Sequence, residues 1–230
     1  MNGRLKGLGV VLAVIGLAFI AGGGYAYYRT NQGAQALQAF SAAQDVRLSY
    51  NEAGQLVDRG EVEGAQAIMS LLVNDWGYAV DQGELNPNDP LVNTASEYMY
   101  QMATISYHTL HGSTTVVLDE AVTAEDGTVY PAGTYEFQTD GRYWTDFDRS
   151  NPIEAAARGQ VWTGTAHALI AELGVGSVTA STLQMGLGMA ALFAGLGVTV
   201  FITGLGLVWA TRAQTDRVKA PALRPATTAA

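Results

Sequence analysis

The chain has 230 residues, no cysteine and a formal net charge of −9, which leaves room for one modest domain with or without membrane spans. Without cysteine there is no disulfide framework, CxxC redox site or thiolate metal centre. The acidic balance disfavours nucleic acid as a partner.

Residues 1–6 contain Arg4 and Lys6 and read as a cytoplasmic N-terminus. Residues 7–28 form a stretch of 22 residues without a charge. As a helix rising about 1.5 Å per residue this reaches about 33 Å, enough for a hydrocarbon core of about 30 Å. Gly24-Tyr25-Ala26 loosely fits a signal-peptide cleavage pattern, but the length of the apolar stretch favours a retained anchor. We therefore expect the first transmembrane helix over residues 7–28.

Residues 29–181 hold 20 Asp/Glu and 6 Arg, a net of −14. Such a surface repels anionic headgroups and favours cations or basic partners. Ala34, Leu37 and Phe40 keep a helical spacing, after which "VRLSYNEAGQLVDRG" suits either a hairpin around Ala53-Gly54 or a frayed helix. Val62, Ala65, Met69, Leu72, Trp76 and Ala79 recur at threes and fours, predicting an amphipathic helix from Glu61 to about Gly83. Asp89-Pro90 reads as an N-cap followed by Pro at the first helical position. The helix it would open carries Leu91, Ala95, Tyr98, Met102, Ile105 and Thr109 on one stripe and stops at Gly112.

The period then changes to two. "STTVVLD", "GTVYPAG" and "TYEFQTD", punctuated by Asp126-Gly127 and Pro131-Ala132-Gly133, predict a small antiparallel sheet. Asn151-Pro152-Ile153-Glu154 has the form of a capping box opening a helix through Leu173, with Trp162, Ala166, Leu169 and Leu173 as its apolar stripe. "GVGSVTAST" reads as a flexible joint into a second transmembrane helix over residues 182–210. Residues 211–230, with Arg212, Arg217, Lys219 and Arg224 against Asp216, read as a cytoplasmic tail whose Ala/Pro/Thr-rich end is too poor to build a core. The expected fold is thus an α+β membrane protein. Two transmembrane helices flank an acidic extracytoplasmic domain, mainly helical with a small antiparallel β-sheet. The Lys/Arg excess at both ends places both termini in the cytoplasm of a cell membrane.

The second apolar stretch repeats Gly-Leu-Gly three times at a spacing of nine. At about 100° per residue, Gly186, Gly197 and Gly204 fall on one stripe and Gly188, Gly195 and Gly206 on nearly the opposite one. Small residues let membrane helices approach closely. One stripe suits the first span, whose own glycines repeat at Gly9, Gly16 and Gly23, and the other needs a further partner. Glycine is also simply commoner in membrane helices, but two registers favour packing.

Other chemistry is sparse. His108 and His111 sit at i and i+3, a spacing that can chelate one metal, and a third ligand would have to come from His167, Asp119, Glu120 or another subunit. Glu97 shares their polar stripe but lies 11 residues from His108, about 16 Å along a helix. The competing reading is two imidazoles serving the last carbonyls of a helix end. "YWTDFD" mixes aromatics with carboxylates, as carbohydrate sites, cation sites and ordinary interfaces all do. No phosphate loop, nucleophile elbow, haem-attachment or dinucleotide motif is present, so no cofactor and no reaction of the chain's own is expected.

The expected role is an accessory or structural subunit of a multi-subunit integral membrane complex, such as a respiratory complex or membrane-bound oxygenase. Its partners would be other integral membrane subunits, met through the second transmembrane helix, and membrane lipid. The alternatives are an extracytoplasmic binding or sensing module, and a metal-binding protein using His108 and His111.

Overall fold

The structure, a computed structural model, describes residues 2–219. The end of the expected tail, residues 220–230 with Arg224, lies outside them, as do the side chains of Arg217 and Lys219. The architecture is α+β. Five α-helices occur among the described residues: α1 Asn2–Gln44, α2 Val62–Ser70, α3 Ala95–Leu110, α4 Pro152–Val161 and α5 Gly164–Lys219. Four short strands accompany them: β1 Ser113–Leu118, β2 Val122–Thr123, β3 Val129–Tyr130 and β4 Gly133–Gln138. The chain divides into two compact units. One takes α1 up to Gln35 and α5 from Leu183 onward, and the other is Ala36–Thr182.

In the first unit α1 and α5 pair antiparallel, and both helices are long and apolar enough to cross a membrane. Only 11% of the most apolar window of each is buried, so Val14, Leu17, Leu192 and Ile202 are all more than half exposed. Contiguous apolar surface on this scale asks for an apolar surrounding. α5 continues past residue 210, the expected end of the span, through Lys219.

The second unit is built around α3, which is buried on most of its circumference. Ile68, Leu72, Val92, Tyr98, Ala103 and Leu173 belong to one apolar cluster, and Leu71, Leu110, Val116, Phe147, Ala157 and Trp162 form another. The expected helix from Glu61 to Gly83 is shorter than its periodicity implied. α2 passes into a single π turn over Leu71–Asp75 and stops at Gly77, whose φ is +67°. The widened turn lets adjacent leucines serve different cores: Leu72 joins the first cluster and Leu71 the second. Ala79, expected on the apolar stripe, is exposed.

Asp89-Pro90 does not open α3. The Leu48 amide donates to the Pro90 carbonyl and the Val92 amide to the Val46 carbonyl, so residues 90–92 are held extended by pairing with the chain after α1. The helix starts instead behind Thr94, whose hydroxyl accepts from the Glu97 amide while the Glu97 carboxylate accepts from the Thr94 amide. That reciprocal box satisfies donors an N-terminus otherwise leaves open. The helix ends near Gly112 as its sequence suggested.

"VRLSYNEAGQLVDRG" takes the hairpin form. Tyr50 bridges Leu56, and Gly54 turns the chain at φ +75°. β1 pairs antiparallel with β4 from Ser113↔Gln138 to Leu118↔Gly133, and β2 pairs with β3 around the Asp126-Gly127 turn. Asn151 caps α4 by accepting from the Ile153 and Glu154 amides. The box is not closed by Glu154, whose carboxylate instead takes Arg142 and the Asp148 amide. The expected helix through Leu173 is interrupted after Val161, and Thr163 starts a new one by accepting from the Ala166 amide.

"GVGSVTAST", expected as a flexible joint, is helical throughout within α5. Gly176 serves close approach and not bending, whereas Gly174 makes only ordinary contact. A Cβ on Gly176 would stand 2.6 Å from the Tyr98 ring, and one on Gly174 3.6 Å from the Met102 sulfur.

Candidate functional site

In the paired apolar helices the glycine stripes have different surroundings. A Cβ on Gly197 would lie 2.7 Å from the Ile20 backbone nitrogen and 2.8 Å from the Gly16 carbonyl oxygen. One on Gly204 would lie 2.5 Å from the Gly9 oxygen, and one on Gly186 2.7 Å from the Thr30 hydroxyl. From the α1 side, Gly16 faces Gly197 and Phe201 at 2.5–2.7 Å, and Gly23 faces Ala190 and Ala194 at 2.8–2.9 Å. Around Gly188, Gly195 and Gly206 there is no such atom within 4 Å.

Spacing explains the seam. Gly9, Gly16, Gly23 and Thr30 recur every seventh residue on α1 and meet Gly186, Ala190, Gly197 and Gly204 on α5, while a Cβ on Gly33, three residues past Thr30, would lie 2.8 Å from the Leu183 side chain. A repeat of seven keeps one seam facing a partner when the helices supercoil left-handedly. Missing side chains bring backbone within reach of backbone, where Cα–H groups meet carbonyl oxygens. Phe19 and Phe193 stack with ring centroids 5.9 Å apart. Leu183, Ala190 and Thr30 escape a search for glycines alone; counting in sevens from Gly9 and Gly204 finds them. On the other side, Thr199 and Thr203 return their hydroxyls to the carbonyls of Gly195 and Thr199. That face presents satisfied hydroxyls and three gaps in the side-chain layer at Gly188, Gly195 and Gly206, with Leu192 and Ile202 exposed beside them.

In the second unit the two histidines have separate partners. His108 Nε2 lies 2.9 Å from Asp58 Oδ1, across the hairpin, and His111 Nδ1 lies 3.0 Å from the Tyr107 carbonyl with its ring stacked on Tyr107. Among the described residues no group of three or more His, Asp and Glu side chains is placed to hold a metal ion. Asp119 and Glu120 are exposed after β1, and His167 stacks on Trp162. The Asp58–His108 pair orients an imidazole, as a base would require. The neighbouring hydroxyls of Thr104 and Thr109, however, donate to the carbonyls of Tyr100 and Ile105.

Above that pair α3 carries buried polar groups. Glu97 is 2% exposed, and its Oε2 accepts from the Asn93 and Thr94 amides and the Thr94 hydroxyl. Burial nevertheless raises its carboxyl above the ordinary glutamate range. Tyr50 has its phenol pushed up to about 12 by burial and by Glu97, and its hydroxyl oxygen is buried without a hydrogen-bond partner. Burial raises Tyr100 as well. These phenols stay protonated at neutral pH and serve as neutral packing groups.

The residues of "YWTDFD" are engaged internally. Arg158 lies 3.3 Å from the centre of the Trp144 ring and donates to the Trp144 carbonyl. His167 meets Trp144 edge-on at 5.0 Å. Tyr143 stacks with Trp162 and accepts from the Trp76 indole. Asp146 accepts from the Tyr143 amide, and Asp148 accepts from the Ser150 amide and hydroxyl. Phe147 is buried. The stretch closes a loop onto α4 and the start of α5, with both carboxylates spent on turns.

No protein-family model matches the chain, no curated protein matches it, and no solved structure matches it.

Proposed function

We propose that this chain is an accessory subunit of a multi-subunit membrane complex, anchored by α1 and α5, with no reaction of its own. Both termini face the cytoplasm and the acidic domain lies outside, in keeping with Arg4 and Lys6 at one end and Arg212, Arg217 and Lys219 at the other. A helix of a partner subunit packs on the face carrying Gly188, Gly195 and Gly206. The acidic domain, net −14 over residues 29–181, docks on or stabilises basic surfaces of the partners.

One observation carries this reading. α5 bears two sets of glycines, and only one is occupied by α1. In lipid, glycine positions on a helix face forgo van der Waals contact unless another backbone approaches them. Each glycine also weakens the helix by about 1 kcal/mol relative to alanine in water, so an open stripe is a liability unless something closes on it. The test is purification of the full chain in a gentle detergent, followed by identification of co-purifying membrane subunits. A complex that forms equally with leucine at Gly188, Gly195 and Gly206 would remove the basis of the proposal.

A further inference from the structure

Wholly within the second unit lies a cleft of about 640 Å³. Its walls are apolar: Leu37 and Phe40 of α1, Val92, Ile105 of α3, and Leu169 and Leu173 of α5. The floor is Tyr98. Its ring lies directly against the Gly176 backbone, where even a Cβ would stand 2.6 Å away. Its hydroxyl is 2.7 Å from the Ser41 hydroxyl, which donates to the Leu37 carbonyl. The polar atoms of the floor are therefore satisfied by the protein and ask nothing of a ligand.

The volume falls within the range of about 300–1,000 Å³ typical of small-molecule sites. A docked α-helix about 10 Å across would fill it with roughly one and a half turns, too little for specific recognition. A single extended aliphatic chain matches the apolar walls better. At the mouth, Phe40 is 46% and Leu169 41% exposed, so apolar surface continues to the rim. The polar lining consists of Gln44, Gln101, Glu172 and Thr179 beside the committed Ser41 and Tyr98, with no lysine or arginine. A phosphate or carboxylate head would meet Glu172 without a compensating cation, whereas a hydroxyl or amide head can donate to Glu172 and exchange hydrogen bonds with the two glutamines. α1 and α5, which wall the cleft, are the same helices that carry the apolar windows.

We propose that this cleft binds the aliphatic chain of an uncharged lipid with a hydroxyl or amide head. The proposal rests on the membrane reading only for the source of the ligand.

The test uses the full chain in phosphatidylcholine nanodiscs with hexadecanol carrying a terminal diazirine, irradiated and mapped by peptide mass spectrometry. Label is expected in peptides covering residues 37–46, 98–105 and 169–179, and unlabelled hexadecanol should compete it away. Ala171 lines the cleft at an exposed position. Ala171→Trp, which displaces about two methylenes of ligand, should lower the labelling about tenfold. Hexadecyl phosphate carrying the same diazirine should label the wild type weakly, and Glu172→Lys should raise that labelling to the level of the alcohol. Label confined to residues 7–28 and 181–211, label that excess hexadecanol does not compete, or equal labelling by alcohol and phosphate overturns the proposal. So does protection of the cleft peptides by a co-purifying chain. If the protein instead partitions into water, the membrane reading fails by itself, and competed labelling of the cleft in detergent-free buffer still supports the site.

Discussion

Gly9 and Gly204 face each other with nothing between them: a Cβ on Gly9 would stand 2.8 Å from the Gly204 carbonyl oxygen, and one on Gly204 2.5 Å from that of Gly9. The obstacle at both positions is backbone, which cannot rotate away as a side-chain tip can.

A graded response to alanine follows. Gly16→Ala and Gly204→Ala each add a methyl against main-chain atoms at 2.5 Å and should destabilise the helix pair by about 1–3 kcal/mol, the usual range for overpacking. Gly186→Ala meets the Thr30 side chain first and should be milder, because Thr30 can change rotamer. Gly22→Ala has no neighbour within 4 Å and should be neutral or slightly stabilising. Thermal unfolding in detergent measures the order, and equal midpoints for Gly16→Ala and Gly22→Ala would contradict the seam.

Around Gly54 the sequence left a hairpin and a frayed helix open, while other features set by local chemistry were legible in it: the Asn151 cap, the stop near Gly112 and the strand runs after it. Each depends on residues a few positions apart. What was illegible depends on distant contacts. Asp89-Pro90 has the local form of a helix start, but the Pro90 carbonyl is taken by Leu48, and the cap passes to Thr94. Gly174 and Gly176 resemble a joint because glycine weakens a helix locally, yet both lie inside α5, and Gly176 makes room for Tyr98 of α3. His108 showed its spacing to His111, while its partner Asp58 is 50 residues away.

That partner bears on metal binding. With His108 held by Asp58 and His111 turned to its own helix end, the variant His108→Ala/His111→Ala should retain the metal content of the wild type by elemental analysis, since two imidazoles alone make an incomplete site. Stoichiometric loss of a transition metal would restore the metal-binding reading. A double-mutant cycle of Asp58→Ala with His108→Ala should give a coupling of about 1 kcal/mol for this part-buried pair.

Glu97 makes stability depend on pH in a direction opposite to that of a carboxylate in an ion pair. Burial raises its folded-state pKa above the unfolded value, so the folded chain holds the proton more tightly. Its contribution is fully present below the ordinary glutamate pKa and is lost as pH rises through the folded value. Glu97→Gln keeps an acceptor oxygen for the Asn93 and Thr94 amides but cannot ionise. The unfolding midpoint of the variant relative to wild type should therefore climb between pH 4 and pH 7. A difference that shrinks over that interval would show that the three hydrogen bonds outweigh burial.

The orientation across the membrane is tested by reporter fusions. A reporter joined near Gly141 should read extracytoplasmic and fusions at either terminus cytoplasmic, because the basic residues outside the acidic segment cluster at the two ends. A cytoplasmic signal from the Gly141 fusion would invert the topology and place the acidic domain among different partners.

The two glycine faces of α5 separate folding from assembly. Leucine at Gly186, Gly197 and Gly204 drives side chains into Thr30, Ile20, Gly16, Ala13 and Gly9; the helix pair should splay and the protein fall in abundance. Leucine at Gly188, Gly195 and Gly206 enters open space and retains hydrophobicity, so the chain should insert, fold and unfold at or above the wild-type temperature. Only its co-purification with partner subunits should drop, because the added side chains hold an approaching backbone away from α5. Immunoblotting of membranes reads abundance, and mass spectrometry of the purified complex reads assembly. A second triple that matches the wild type in both would mean that this face meets lipid alone, and the accessory-subunit reading would lose the observation that carries it.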